Sequence, residues 1–109
     1  MESNMVESLE PKYCVKLVED FFSKNIKGYT LNKETTYTGY WWLEYINQSD
    51  VKICFDGDIG GHFSIKIFIG DTEFNLWQFD RSVNYATKST EENIFYQLNV
   101  LSKFLNETT

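Results

Sequence analysis

The sequence predicts a single α+β domain in which an antiparallel sheet is flanked along the chain by one helix at each end. Apolar residues repeat at helical spacing near both ends of the chain. Between residues 37 and 80, apolar and polar residues instead alternate with the period of two that is typical of strands. At 109 residues the chain is long enough for one modest core, so we interpret 1–109 as one domain.

The first predicted helix covers about residues 10–26. Pro11 suits its first turn, and Gly28 suits the position just beyond its end. Residues 1 to about 8 are polar, and we expect them to be frayed. One face of the helix carries apolar residues at i, i+3, i+4 and i+7: Cys14, Leu17, Val18 and Phe21.

Strands follow the first helix. Residues 29–36 fit either a short edge strand or a loop, and the alternating pattern begins at Tyr37. Turn-forming sequences at Asn47–Asp50, Asp56–Gly61 and Gly70-Asp71 divide the rest into segments of strand length. The sequence therefore predicts a meander of four to five antiparallel strands.

The second predicted helix covers about residues 90–106 and follows a connection at 80–88. Ser89 and Glu92 have the Ser-x-x-Glu spacing of a capping box. An apolar stripe at helical spacing follows: Ile94, Leu98, Leu101 and Leu105. Because each helix has one apolar face, we expect both to pack on the same face of the sheet.

A hairpin turn at Gly70-Asp71 fixes which residues share a face of the sheet. It places Ile69, Ile67 and Ile65 opposite Thr72, Phe74 and Leu76, an apolar set that we expect to face the helices. The other face is mixed, and with two long helices available we expect it to be at least partly open to solvent. It pairs Phe68 with Glu73, Lys66 with Asn75 and Ser64 with Trp77, with Phe79 beyond, and it adds Tyr40, Trp42, Glu44, Lys52 and Cys54 from the earlier strands.

Charge is concentrated in this central stretch. Between residues 37 and 80 seven carboxylates stand against two lysines, a net of −5 out of −6 for the whole chain, and eleven aromatic residues lie among them. An acidic chain with Arg81 as its one arginine is a poor ligand for phosphate backbones, so we expect no direct nucleic-acid partner. Carboxylates interleaved with aromatic rings instead favour a basic protein partner.

Other chemistry is weakly indicated. His62, the one histidine, lies near Asp56 and Asp58, where an acid–base pair or a ligand pocket is conceivable. Asp56–Gly60 also has the D-x-D-x-G start of a calcium loop, but the twelfth position is Ile67, inside a predicted strand. We expect no catalytic residue, metal or cofactor.

The two cysteines, Cys14 and Cys54, fall in a predicted helix and a predicted strand. We interpret them as buried thiols of a soluble cytoplasmic protein, with a disulfide as the alternative. The sequence shows neither a signal peptide nor an apolar run of membrane-spanning length, so we expect no membrane partner.

In size, charge and layout the chain resembles the small immunity proteins of bacterial polymorphic toxin systems, including those of contact-dependent growth inhibition. The resemblance lies in the acidic, aromatic segments 40–45 (YWWLEY) and 71–77 (DTEFNLW), framed by two terminal helices. It implies a non-enzymatic inhibitor that binds one cognate basic toxin, often a nuclease. Carboxylates of such an inhibitor can occupy the positions of substrate phosphates.

The sequence leaves several functions open. An inhibitor of another kind, such as a phage-encoded nuclease inhibitor, or an adaptor would use the same surface. A small enzyme or ligand-binding domain would need a pocket near His62, and the free protein is expected to be a monomer or a homodimer. The residues predicted to contact the partner are Trp42, Glu44, Asp56, Asp58, Phe68, Asp71, Glu73, Trp77 and Phe79.

Overall fold

The computed structural model describes residues 8–108, and the predicted fraying of residues 1–7 lies outside that range. A 15-residue helix comes first, five strands follow, and two short helical turns lead into a final helix of 18 residues. The elements are α1 (Pro11–Asn25), β1 (Thr30–Tyr37), β2 (Tyr40–Ile46), β3 (Val51–Gly57), β4 (Phe63–Ile69), β5 (Thr72–Asn75), α2 (Leu76–Phe79), a 3₁₀ helix (Arg81–Tyr85) and α3 (Glu91–Thr108).

The five strands form one antiparallel sheet in the order β1-β2-β3-β4-β5, which confirms the predicted meander. The segment with two possible readings, 29–36, is the edge strand β1. Its pairing with β2 shifts between Leu31 and Lys33, so that Asn32 is an extra residue in the edge strand. Such a bulge twists the edge and interrupts the row of backbone groups that another strand would pair with.

The core lies between one face of the sheet and the two long helices, as the sequence predicts. Phe22 of α1 stacks on Tyr45 of β2, with ring centroids 3.8 Å apart and planes within 10°. Burial of these rings and aliphatic side chains is the main stabilising term of the fold. Fully buried members of the core include Cys14 and Val18 of α1, Leu43, Ile53, Phe55 and Ile67 of the sheet, and Ile94, Leu98 and Leu101 of α3.

The start of α3 differs by one residue from the predicted capping box. Thr90 caps the helix, because its hydroxyl accepts a hydrogen bond from the backbone N–H of Asn93 at 3.2 Å. The backbone of Ser89 instead joins other segments: its N–H donates to Gly61 at 2.7 Å, and its carbonyl accepts from Leu9 at 2.8 Å. Ser8 also reaches this point, where its hydroxyl donates to the Gly61 carbonyl at 3.0 Å.

The last strand is shorter than predicted. The pairs Ile69–Thr72, Phe68–Glu73, Ile67–Phe74 and Lys66–Asn75 are confirmed. The pairs Ile65–Leu76 and Ser64–Trp77 are wrong, because the strand ends at Asn75 and α2 begins at Leu76. Asn75 and Gln78 form a capping box in which the Asn75 backbone N–H donates to Gln78 Oε1 at 2.7 Å, and this turns the chain out of the sheet.

None of the helices in residues 8–108 is both long enough and apolar enough to cross a bilayer.

Candidate functional site

The sheet face opposite α1 and α3 carries a mixed set of side chains, which we call the open face. Alternation along the strands places neighbouring pairs on it, such as Trp42 beside Asp56 and Lys52 beside Phe68. Members of the open face are Lys33, Thr35, Tyr37, Tyr40, Trp42, Glu44, Ile46, Lys52, Cys54, Asp56, Ser64, Lys66, Phe68, Glu73 and Asn75.

Two aromatic rings of the open face stand apart from the core. Trp42 and Phe68 are half-buried and belong neither to the buried core cluster nor to the side chains packed against it. Their neighbours Asp56, Ser64 and Glu73 are exposed. The prediction that this face is at least partly open therefore agrees with the burial of its residues.

At the centre of the open face, one predicted contact residue is covered by its neighbours. Glu44 is only 7 % exposed, and its carboxylate accepts a hydrogen bond from Asn32 Nδ2 at 2.6 Å. Lys33 and Cys54 lie directly opposite Glu44 on the two adjacent strands. Glu44 therefore presents little carboxylate surface to a partner while it keeps this geometry.

Lysines of the open face lie in its middle rows and toward the end where the β2–β3 and β4–β5 turns meet. There Lys66 Nζ is 3.4 Å from Glu73 Oε2, and Lys52 Nζ is 4.9 Å from the centroid of the Phe68 ring. The Gly70 N–H donates to the Asp50 carbonyl at 3.0 Å and joins the two turns. We call Asp50, Phe68, Asp71 and Glu73 the turn-end patch.

Within residues 8–108, the strand positions at the opposite end of the open face carry no lysine or arginine. Tyr37 and Tyr40 pair across the β1–β2 hairpin with ring centroids 6.2 Å apart. Partial burial, and then the charge of Asp56, raise the pKa of the Tyr40 hydroxyl. Asp56 is paired with Trp42, two residues along β2 from Tyr40. Ile59 in the neighbouring loop is 81 % exposed. The set that we call the loop-end patch is Tyr37, Tyr40, Trp42, Asp56, Asp58 and Ile59.

Sequence reasoning assigned Tyr40 to this face but did not select Tyr37, Tyr40 or Ile59 as contact residues. Tyr37 and Tyr40 flank Thr38-Gly39, a two-residue hairpin turn, and that spacing makes the two tyrosines cross-strand neighbours. Ile59 is the one apolar side chain within the Asp/Gly loop 56–61. Both signals are visible in the sequence.

Four predicted contact residues are not members of the open face: Asp58 and Asp71 lie in the turns at its two ends, and Trp77 and Phe79 follow β5. Trp77 is in α2, not on a strand, although it is 44 % exposed. Phe79 turns toward the helices, where its ring packs edge-on against Phe104 of α3 with centroids 5.2 Å apart. The physical reason is the capping box at Asn75, which ends the strand before either residue.

The acid–base pair conceivable at His62 is not formed. The Asp58 carboxylate accepts the backbone N–H of His62 at 3.1 Å, whereas the imidazole Nδ1 lies 3.0 Å from the Thr87 hydroxyl. Asp58 thus shapes the turn that joins β3 to β4, and its carboxylate is hydrogen-bonded to the His62 backbone and not to the imidazole. Within residues 8–108, no three His, Cys, Asp or Glu side chains are grouped closely enough to hold a metal ion.

Both cysteines are free and buried, as predicted, but they lie on opposite sides of the sheet. Cys14 belongs to the core, whereas Cys54 lies on the open face between Glu44 and Lys66. Burial raises the pKa of each thiol to about 11, which leaves little reactive thiolate at neutral pH.

Surface grooves border the sheet, and two of them adjoin the two patches. One of about 550 Å³ lies between the start of α1 and the β1–β2 hairpin, where Lys12 and Tyr37 contribute to its lining. Another, of about 310 Å³, lies between the two turns and is lined in part by Asp50 and Phe68. Neither includes His62 in its lining, so the pocket required by a ligand-binding function at that residue is not one of these grooves.

The chain matches no protein-family model, and it matches neither a curated protein nor a solved structure.

Proposed function

We propose that this protein is a non-enzymatic inhibitor that binds a basic protein, and that its partner is a cognate toxin, such as a nuclease, which it neutralises in the cytoplasm. One observation carries the proposal. The face of the sheet that packs against neither long helix holds the half-buried rings of Trp42 and Phe68 beside the exposed carboxylates of Asp56 and Glu73.

The rings provide the affinity in this proposal. Aromatic anchors contribute most of the binding energy in protein interfaces when a partner completes their burial. Trp42 and Phe68 already have part of their surface covered by neighbouring strands, which lowers the entropy lost when a partner immobilises them.

In this proposal the negative charge of the protein increases the rate of association with the partner and the selectivity for basic partners. A net charge of −6 attracts a basic partner over a distance of about one Debye length, roughly 10 Å at 0.1 M salt, and accelerates encounter. Exposed Asp56 and Glu73 lie on the docking surface itself, so they also select against acidic partners.

The proposal is tested with the product of the gene immediately upstream, since immunity genes follow their toxin genes. We expect this product to arrest growth when expressed alone and to bind this protein when both are present. Binding without toxicity would favour an adaptor or another inhibitor. The absence of both binding and toxicity would contradict the proposal.

The contact surface is tested by charge reversal. The double variant Asp58→Lys/Glu73→Lys should weaken binding more than about tenfold and slow association at low salt. Its matched control is Glu92→Lys/Glu107→Lys, which makes the same charge change at exposed positions of α3. Equal losses of affinity in the two variants would show that net charge alone causes the effect, and the open face would then not be the binding surface.

A further inference from the structure

We infer that the loop-end patch is where the partner is anchored, and that it takes an arginine side chain of the partner between the tyrosine pair and the carboxylates of Asp56 and Asp58. This inference rests on the proposed function, in which a basic protein binds the open face, and it specifies the part of that face that contacts the partner. It also names the chemical group that is recognised.

The turn-end patch shows what this type of surface binds. There, an aromatic ring and a carboxylate each have a cation from the same chain: Lys52 over Phe68 at 4.9 Å and Lys66 beside Glu73 at 3.4 Å. Both interactions are of the ordinary cation–π and ion-pair kinds. Any cation of a partner would have to compete with these two lysines.

The loop-end patch has the same groups without the cations. Residues 37–42 and 56–61 contain no lysine or arginine. Across residues 8–108, no cation lies over the Tyr37 or Tyr40 ring, and neither Asp56 nor Asp58 has an ion-pair partner. Lys12 lines the groove beside Tyr37, but its ammonium lies over the Tyr13 ring, 5.5 Å from the centroid. Among the described residues, therefore, a cation supplied by a partner meets none already placed on these rings or carboxylates.

The patch is also held in shape before a partner arrives. The β1–β2 hairpin lies against the β3–β4 loop. A methyl group added at Gly39 would be 3.7 Å from Ile59 Cα, which is ordinary van der Waals contact. Asp58 is fixed by its hydrogen bonds to His62 through side chain and backbone, at 3.1 Å and 2.8 Å. A preformed site loses less entropy on binding than one that must first be ordered.

Arginine fits this arrangement better than lysine does. Its planar guanidinium can stack on an aromatic ring while its edge donates hydrogen bonds to a carboxylate. Tyr37 is 68 % exposed and offers an accessible ring face beside Tyr40. Exposed Ile59 adds an apolar rim that the alkyl part of the side chain can cover.

The test uses a hexa-arginine peptide as the probe and hexa-citrulline, which lacks the charge, as its control. Binding is followed by ¹H–¹⁵N NMR at about 50 mM salt, where charge attraction is only weakly screened. We expect hexa-arginine, and not hexa-citrulline, to shift the amide signals of residues 37–42 and 56–61. Shifts confined to residues 50 and 70–73, or no binding at all, would overturn the inference.

Isosteric variants then separate local recognition from net charge. Asp56→Asn/Asp58→Asn should weaken hexa-arginine binding about fivefold, and Tyr37→Ala should weaken it about threefold. Glu92→Gln/Glu107→Gln removes two charges from α3 and is the matched control, with little loss expected. An equal loss in this control would overturn the inference.

The same variants distinguish this inference from the proposed function when the protein partner is used. If Asp71→Asn/Glu73→Gln weakens partner binding more than Asp56→Asn/Asp58→Asn does, the inference fails while the proposed function stands. If the basic partner does not bind the wild-type protein, the proposed function itself fails.

Discussion

The indole of Trp41 lies across Gly57 on the neighbouring strand, in the place that a side chain at residue 57 would occupy. The two residues are directly paired between β2 and β3, and a methyl group at Gly57 would be 1.8 Å from Trp41 Nε1. Trp41 is buried and packs near Phe55 and Phe63, with centroids 6.3 Å and 5.9 Å away. The glycine thus makes room for the ring that fills this end of the core.

Gly57→Ala should therefore lower the free energy of unfolding by more than about 2 kcal/mol, because a buried ring must move out of its packed position. Urea denaturation measures the loss. Gly60→Ala is the control, since a methyl group there would lie 3.3 Å from Asp58 Oδ1 and 3.9 Å from the His62 ring, a crowding that a shift of a few tenths of an ångström relieves. Equal stability of Gly57→Ala and the wild type would show that the core tolerates a shifted indole.

The β4–β5 hairpin shows what the sequence could predict. Gly70-Asp71 identifies a two-residue turn, and Gly70 has the positive φ of 60° that such a turn requires. Once the turn is known, period-two alternation assigns each neighbouring side chain to a face. For this reason the isoleucine-rich core face and the position of Phe68 beside Glu73 follow from the sequence.

The end of that hairpin shows why the prediction fails beyond Asn75. Phe74, Leu76 and Trp77 continue an apolar pattern that strands and helices share, and periodicity alone does not distinguish the two over four residues. The deciding signal is the Asn75–Gln78 capping box, which is local and polar. As a result, the sequence predicts Phe79 at the surface, although its ring packs on α3.

Only part of the division of the open face by charge follows from the sequence. Alternation along the strands places Lys52 and Lys66 on this face, but Lys33 of the edge strand also lies in its central row. The pairing of β1 with β2 brings Lys33 there, and residues 29–36 alone did not decide between strand and loop. The loop-end patch therefore holds carboxylates with no lysine of the open face beside them, whereas Glu73 of the turn-end patch is paired with Lys66.

Phe79 and Trp77 have opposite roles that substitutions can separate. Phe79→Ala should lower the free energy of unfolding by about 2 kcal/mol, because it removes the ring that packs on Phe104. Trp77→Ala should lower it by less than about 1 kcal/mol, since the ring is largely exposed. Thermal and urea denaturation measure both changes. A greater loss for Trp77→Ala than for Phe79→Ala would contradict the placement of the two rings.

A carboxyl pair joins α1 to the edge strand and makes stability depend on pH. Burial first, then a hydrogen bond and the like charge of Glu34, raise the pKa of Glu19 from 4.5 to about 7. Because the folded state binds this proton more tightly than the unfolded state, the stabilisation is complete below about pH 4.5. It is lost as the pH rises through about 7, and we expect a loss of roughly 1 kcal/mol after solvent screening.

Glu34→Gln removes the like charge and should reduce this dependence between pH 5 and pH 8, while the part caused by burial of Glu19 remains. The measurement is the free energy of unfolding at several pH values. Glu107→Gln, at an exposed position in the last turn of α3, is the control and should keep the wild-type slope. If Glu34→Gln also keeps the wild-type slope, the two carboxyls do not share a proton in solution.

Cys54 offers a chemical probe of the open face. Both thiols are buried and have pKa values near 11, so at pH 8 each should react with a thiol reagent at least about 100-fold more slowly in the folded than in the unfolded protein. Their routes to exposure differ. Cys14 is on the side of α1 that packs into the core, whereas Cys54 has Glu44 and the exposed side chain of Lys66 as its cross-strand neighbours.

We therefore expect Cys54 to react faster than Cys14, because side-chain motion exposes it and local unfolding is needed for Cys14. The rates are measured separately in Cys14→Ala and Cys54→Ala. Binding of a basic partner to the open face should slow modification of Cys54 and leave the rate at Cys14 unchanged. Equal protection of both thiols would indicate global stabilisation by the partner instead of contact with the open face.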